Sequence, residues 1–266
     1  MFTGERISNE NWRKMITIYS QKDFTYQKDV LPALSGITNR VRGAGRYFGG
    51  IWEKDLPYDL LWFPIVCSQP SERREPVRRE PPTAPSFLWA SIHGTISFVD
   101  IGRSTADFTQ MFSINNIVCQ PKGEDLLGEL AGGSLQLIGL AIYANFVCTF
   151  NRPIATSVFI KHSAEDEIGH NCLWAALELE NVGNYIFHPD SLQLGLRRDH
   201  RLIVLLLFTA TDPSDQLCYA LVLAAKAAER GQGALREVKY RRVGIIASIE
   251  KEHFSLRGAR MLANIV

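Results

Sequence analysis

The chain has 266 residues, 46% of them apolar, with 29 basic against 28 acidic side chains. That is enough apolar content to bury a full core in one large domain or two small ones, and a net charge of +1 excludes the basic excess that electrostatic nucleic-acid binding requires. Five cysteines, at 67, 119, 148, 172 and 218, form no CxxC pair, which points to reduced thiols in a cytosolic protein rather than a zinc site.

In chain order, the opening MFTGERISNENWRKM places charges where a signal peptide needs an apolar centre. Residues 11–63 read as helical. Leu31, Leu34, Ile37 and Val41 recur at steps of three and four, with a stop signal at Gly43–Gly45. A second helix is predicted from Arg46 to Trp62 on the stripe Phe48, Ile51, Trp52, Leu56 and Leu60, with Pro57 kinking it. Residues 64–83 hold five prolines and alternating Glu and Arg clusters, and read as an exposed, flexible connection.

From residue 84 the apolar period becomes two. Strands are predicted at Ser86–Ala90, Thr95–Val99, Ser134–Tyr143, Ala155–Ile160, Leu202–Thr209, Tyr219–Leu223, Arg242–Ser248 and Met261–Val266, separated by Gly, Pro, Asn and Asp clusters. Residues 224–230, rich in alanine, could turn helical. The longest apolar run, Leu202–Phe208, is far shorter than the roughly 20 residues of a membrane helix. The chain thus reads as an α+β protein with no membrane partner. A helical segment (1–63) and a linker (64–83) precede a β-rich domain (84–266), which is mainly an antiparallel sandwich or open barrel.

Several stretches could carry chemistry. KHSAEDEIGHN (161–171) offers metal-like ligands, but His162 and His170 are eight apart, whereas a two-histidine helical zinc site sets them four apart. GAGRYFGG (43–50) has no strand before it and reads as a turn rather than a phosphate cradle. The elbow G-x-S-x-G is absent, and no cysteine sits in an activating motif. In APSFLWASIHGTISF (84–98), Phe87 and Trp89 could stack a base or a sugar, but an aromatic pair on one strand face is usually core, so Trp89 reads as a packing anchor. In KYRRVG (239–244), Arg241 and Arg242 point to opposite faces of a strand. One is inward and fixes the sheet to a neighbouring loop, or else binds an anion. No catalytic, metal or cofactor residue emerges, and the chain is expected not to be an enzyme.

The order of these stretches resembles the region that follows the signature domain in fungal heterokaryon-incompatibility (HET) domain proteins. WRKMITIYSQKDFTYQKDVLPALSGIT (12–38), with Asp29 and Gly36, is similar to the segment leaving that domain. RYFGGIWEKDLPYDLLW (46–62), with Trp52 and Trp62, resembles a Tyr-x-x-Gly-Leu-Trp…Leu-Leu-Trp motif in which Ile51 stands at the first Leu. APSFLWAS (84–91) resembles Ala-Pro-Ser-Trp-Ser-Trp-Ala-Ser and carries Trp89; KGEDLLGELAGGSLQLIGL (122–140) resembles a glycine-bounded strand pair. YRRVG (240–244), with Tyr240, Arg241, Arg242 and Gly244, resembles a terminal Tyr-Arg-Arg-Ile-Gly.

The resemblance implies a cytoplasmic fungal protein engaged in non-self recognition and programmed cell death. This region would be a non-catalytic accessory or regulatory part acting through protein partners, without a cofactor and without nucleic acid. The motif residues would be structural. It also implies that the signature domain lies upstream, so that the chain begins at that domain's trailing edge, as a truncated product or a stand-alone remnant. The alternative from the residues alone is a β-rich module binding a glycan or nucleotide.

Overall fold

The computed structural model describes residues 8–38, 45–67, 75–99, 108–153, 170–179, 183–191, 194–198, 200–212, 217–226 and 238–266. Helix α1 (Asn9–Ser20) starts at Ser8, whose Oγ accepts from the Asn11 N–H at 3.3 Å and so satisfies one of the open first-turn donors. Its buried side, Trp12, Ile16 and Ser20, follows the i, i+4 rule. A 3-10 helix (Gln27–Val30) leads into α2 (Pro32–Thr38); Leu31 and Leu34 are buried and Ile37 is half-buried against the core, while Val41, the last of that predicted stripe, lies outside the described residues.

The second helix predicted over Arg46–Trp62 does not form. The segment is a hairpin, β1 (Tyr47–Phe48) and β2 (Ile51–Trp52), then the single turn α3 (Leu56–Asp59), then the start of β3 (Trp62–Cys67). Gly49 and Gly50 carry φ of +55° and +104°, the two positive values that a two-residue hairpin turn needs and a helix cannot accept. Gly50 is also held by close approach, since a Cβ there would lie 2.5 Å from Trp89 Nε1.

In the expected flexible connection, residues 64–67 continue β3, and part of 75–83 is packed while Glu75 and 80–82 are exposed. β4 (Val77–Arg78) pairs with β5 (Ile92–His93), and Arg79 and Thr83 are buried. The strand predicted at Ser86–Ala90 is likewise corrected. Pro85 O accepts from Leu88 N, and Leu88 O from Ser91 N, both at 3.0 Å, so the chain coils through successive tight turns into a 3-10 helix (Trp89–Ser91). Alternating aromatics mimic a strand here because turns on both sides are buried. β6 (Thr95–Phe98) follows.

The remaining elements are β7 (Phe108–Gln110), β8 (Phe112–Pro121), β9 (Leu130–Pro153), β10 (His170–Leu179), β11 (Gly183–Pro189), β12 (Arg201–Ala210), β13 (Leu217–Ala225), β14 (Lys239–Glu250), α4 (Lys251–Arg257) and β15 (Ala259–Ile265). Thus the predicted strands from Ser134 and from Leu202 onward fall on formed strands. Ala155–Ile160 lies outside the described residues. Ala224 and Ala225 extend β13 rather than starting a helix, and 227–230 are outside the described residues.

The protein is α+β and mostly β. Its large sheet is antiparallel throughout except for the β14–β15 pair. The pairings run in a circuit, β9–β12–β13–β14–β15 and back to β9, and within it β12 is buried on both faces. On β12, Leu202, Val204 and Leu206 enter one apolar cluster with β13 residues Ala220, Val222 and Ala224. Ile203, Leu205 and Leu207 on the other face enter a second cluster with Trp12, Leu34, Trp62 and Trp89. Burial on both faces explains why Leu202–Phe208 is an unbroken apolar run. No helix among the described residues is long and apolar enough to cross a membrane.

Candidate functional site

β14 changes partner along its length. Lys239 and Tyr240 pair with β15, Gly244 and Ile245 with β11, and in between the strand's edge is met by side chains from elsewhere. The Arg242 N–H donates to Ser86 Oγ at 3.0 Å, and the Arg242 carbonyl accepts from Arg78 Nη2. Ser86 Oγ in turn donates to the Val266 carbonyl. The seam between two strand pairings is thus closed by one serine and one arginine, both from the stretch before β5.

The Arg242 side chain is fully buried. Its Nη1 donates to Leu60 O at 3.0 Å and its Nη2 to Trp62 O, while the guanidinium lies 3.5 Å from the centre of the Trp62 ring. Asp190, also fully buried, stands 3.3 Å from Arg242 Nη2 and 3.2 Å from Arg78 Nη2. Arg241, on the other face of β14, is half-buried and donates to Leu194 O. All three guanidiniums act electrostatically on the Asp190 carboxyl, which burial nonetheless raises above its ordinary value. Burial pulls the Arg242 guanidinium down to about 10, which leaves it protonated at neutral pH.

Several of the residues that carry the HET resemblance lie at this place or beside it. Trp62 Nε1 donates to Phe87 O at 3.0 Å. Trp89 Nε1, at 3.3 Å, and Trp12 Nε1, at 3.0 Å, donate to one carbonyl, that of Gly50. Trp52 packs edge-on against Trp12 with ring centres 5.6 Å apart. A Cβ on Gly244 would overlap the His188 carbonyl oxygen and the Phe187 ring, so only glycine lets β14 approach β11 there. Tyr240 is half-buried, and its carbonyl accepts from Val266 N at 2.9 Å. Asp29 and Gly36 stay apart from the seam, half-buried and exposed respectively.

A second ionic group joins α1 to α3. Arg13 Nη1 lies 3.2 Å from Asp59 Oδ1 and 3.9 Å from Asp55 Oδ1, and the other Asp59 oxygen accepts from Trp52 N at 3.3 Å. Burial pushes the Asp59 carboxyl up to about 7, against the pull of Arg13.

Phe87, Leu88 and Trp89 are all buried, which leaves neither aromatic face for a stacked base or sugar. His162 lies outside the described residues. Among the described residues no group of three His, Cys, Asp or Glu is placed to hold a metal ion. Burial raises the Cys119 thiol to about 12, far from the depressed value of a nucleophile. Sequence reasoning missed Arg78 and Asp190. Arg78 sits in a charged run that reads as solvated, and Asp190, inside His-Pro-Asp-Ser, has the look of a turn residue. Comparison of the chain with family models, curated proteins and solved structures finds no match.

Proposed function

We propose that this chain is a non-catalytic accessory or regulatory region of a cytoplasmic HET-type fungal protein, acting in non-self recognition through contacts with protein partners. The observation that carries the reading is that three motifs of the resemblance, far apart in sequence, hold one another. Arg242 donates to the Leu60 and Trp62 carbonyls, Trp62 donates to that of Phe87, Ser86 caps the Arg242 N–H, and the Gly50 carbonyl receives Trp89. Residues that interlock in this way and are buried serve a scaffold; a reaction centre keeps polar groups open to a substrate. Ile18 and Tyr26 in the N-terminal layer are 59% and 63% exposed, which offers apolar surface for a protein contact.

The test is a fusion expressed in fungal hyphae, with the chain placed downstream of a HET signature domain. The chain is expected to change the strength of the cell-death response, and Ile18→Asp with Tyr26→Asp to cancel that change without altering the melting temperature. An identical response with and without the chain overturns the reading.

A further inference from the structure

We infer that β8 pairs edge to edge with β8 of a second copy of this chain, so that the large sheets of two molecules join across a two-fold axis. In that sheet β8 is hydrogen-bonded to β9, and among the described residues no strand lies on its other side. Ser113, Ile114, Asn115 and Asn116 follow one another along the strand and all are exposed, as are Val118 and Gln120. Side chains on both faces of the strand are therefore open, and Ile114 and Val118, each 37% exposed, place apolar surface on either side of the edge. An open edge presents unpaired N–H and C=O groups and is a template for another strand, against which charged side chains and internal prolines are the usual guards. FSINNIVCQP (112–121) has no charge, and its proline stands last. Its neighbour over 130–139, LAGGSLQLIG, has no charge either.

The occupant is a second copy because the strand is complementary to itself. In an antiparallel pair, residues directly opposite lie on the same face. An unbroken strand meets that condition with its own copy only when the axis passes through a residue. β8 is not unbroken: between Ile114 and Asn116 a bulge sets two of its residues against one of β9. Asn116 stands opposite Gln136, and Asn115 Nδ2 donates to Gln136 Oε1 at 2.9 Å, so both asparagines take the face of Gln136. The axis then passes between them. Ile114 falls opposite Ile117 of the second copy, both on the face of Leu135 and Leu137, and Ser113 falls opposite Val118, both on the face of Ser134 and Ile138. Gln110 Nε2 already takes the Phe112 carbonyl at 2.8 Å, so pairing runs from Ser113 to Val118. The Ile-Asn-Asn-Ile palindrome thus sets an Ile–Ile pair on each side of the axis, and no like charges meet along the strand.

The experiment is sedimentation equilibrium of the full chain over a concentration series, with Asn115→Lys, Asn116→Glu and an equimolar mixture of the two variants. The wild type is expected to sediment as a dimer that dissociates on dilution. Each variant sets two like charges beside the axis and is expected to weaken dimerisation by about tenfold or more, while the mixture brings lysine opposite glutamate and recovers it. Both positions are exposed, so both variants are expected to keep the wild-type melting temperature. Amide exchange within residues 112–121 of the wild type should slow as concentration rises, a readout that needs no variant. A wild-type chain that stays monomeric at every concentration overturns the proposal and leaves the edge to a strand from a different protein. A dimer whose exchange in that strand is unchanged, that neither substitution weakens, or that the mixture fails to restore overturns it as well, since the contact then lies elsewhere or in another register. Assemblies that keep growing beyond a dimer overturn the closed two-fold arrangement.

Discussion

Arg242 and Asp190 form a pair that is worth most when one half is missing. Both are fully buried, and the guanidinium also reaches two carbonyls and lies against the Trp62 ring. Asp190→Asn should lower the unfolding free energy by about 3–5 kcal/mol in urea, because it leaves buried guanidinium charge uncompensated; Arg242→Lys keeps the charge but cannot reach both the Leu60 and Trp62 carbonyls, and should cost about 1–3 kcal/mol. Lysine cannot reproduce the planar fork, so a near-wild-type value for Arg242→Lys would contradict the role given to that geometry. Trp89→Ala should cost about 3–5 kcal/mol through its cavity and the lost bond to Gly50 O; an unchanged melting curve would count against Trp89 as an anchor. In the sequence the Arg241–Arg242 pair is readable as two side chains on opposite faces of a strand, though not which one is inward. Asp190 is not readable at all. Its partner Arg78 is 112 positions away, and an ion pair formed by tertiary approach leaves no local period.

At the scale of elements, the contact between α1 and α3 contains a titrating group. The Asp59 carboxyl is raised to about 7 in the folded chain, against about 4 when unfolded. Between these values the folded state keeps a proton that the unfolded chain has released. Stability therefore falls as pH rises through this window, by at most about 1.4 kcal/mol per pH unit, and the group has no such effect below about pH 4. Urea midpoints measured between pH 4.5 and 7.5 should show this slope in the wild type, and Asp59→Asn should flatten it; the same slope in both would assign it to other groups. The reading of Arg46–Trp62 as a helix failed for a physical reason. Apolar residues at steps of three and four are placed equally well by a hairpin followed by one helical turn, and the two glycines with positive φ decide between them. From Leu202 onward the strands were legible because β-branched and leucine-rich runs bounded by turn residues have few other ways to fold. β8, β10 and β11 were not picked out. β8 is largely exposed, so it shows little apolar alternation.

Across the whole molecule, residues from Trp12 to Ile96 and residues from Leu135 to Ile265 belong to one apolar cluster. β3 also joins the large sheet, between β6 and β10. Thermal unfolding followed by far-UV circular dichroism and by near-UV signals should therefore give coincident transitions; a separate early loss of the N-terminal layer would show that it stands on its own. The closure of the strand circuit had no counterpart in the sequence, because which strand neighbours which is settled by non-local packing. That shared cluster also has an optical consequence. Four of the five tryptophans, Trp12, Trp52, Trp62 and Trp89, are buried in it, on the N-terminal side of the molecule. The protein's intrinsic fluorescence is thus weighted toward a single region, so a loosening of that layer that lets water reach these rings should disclose itself by a red shift in emission, with no dye attached.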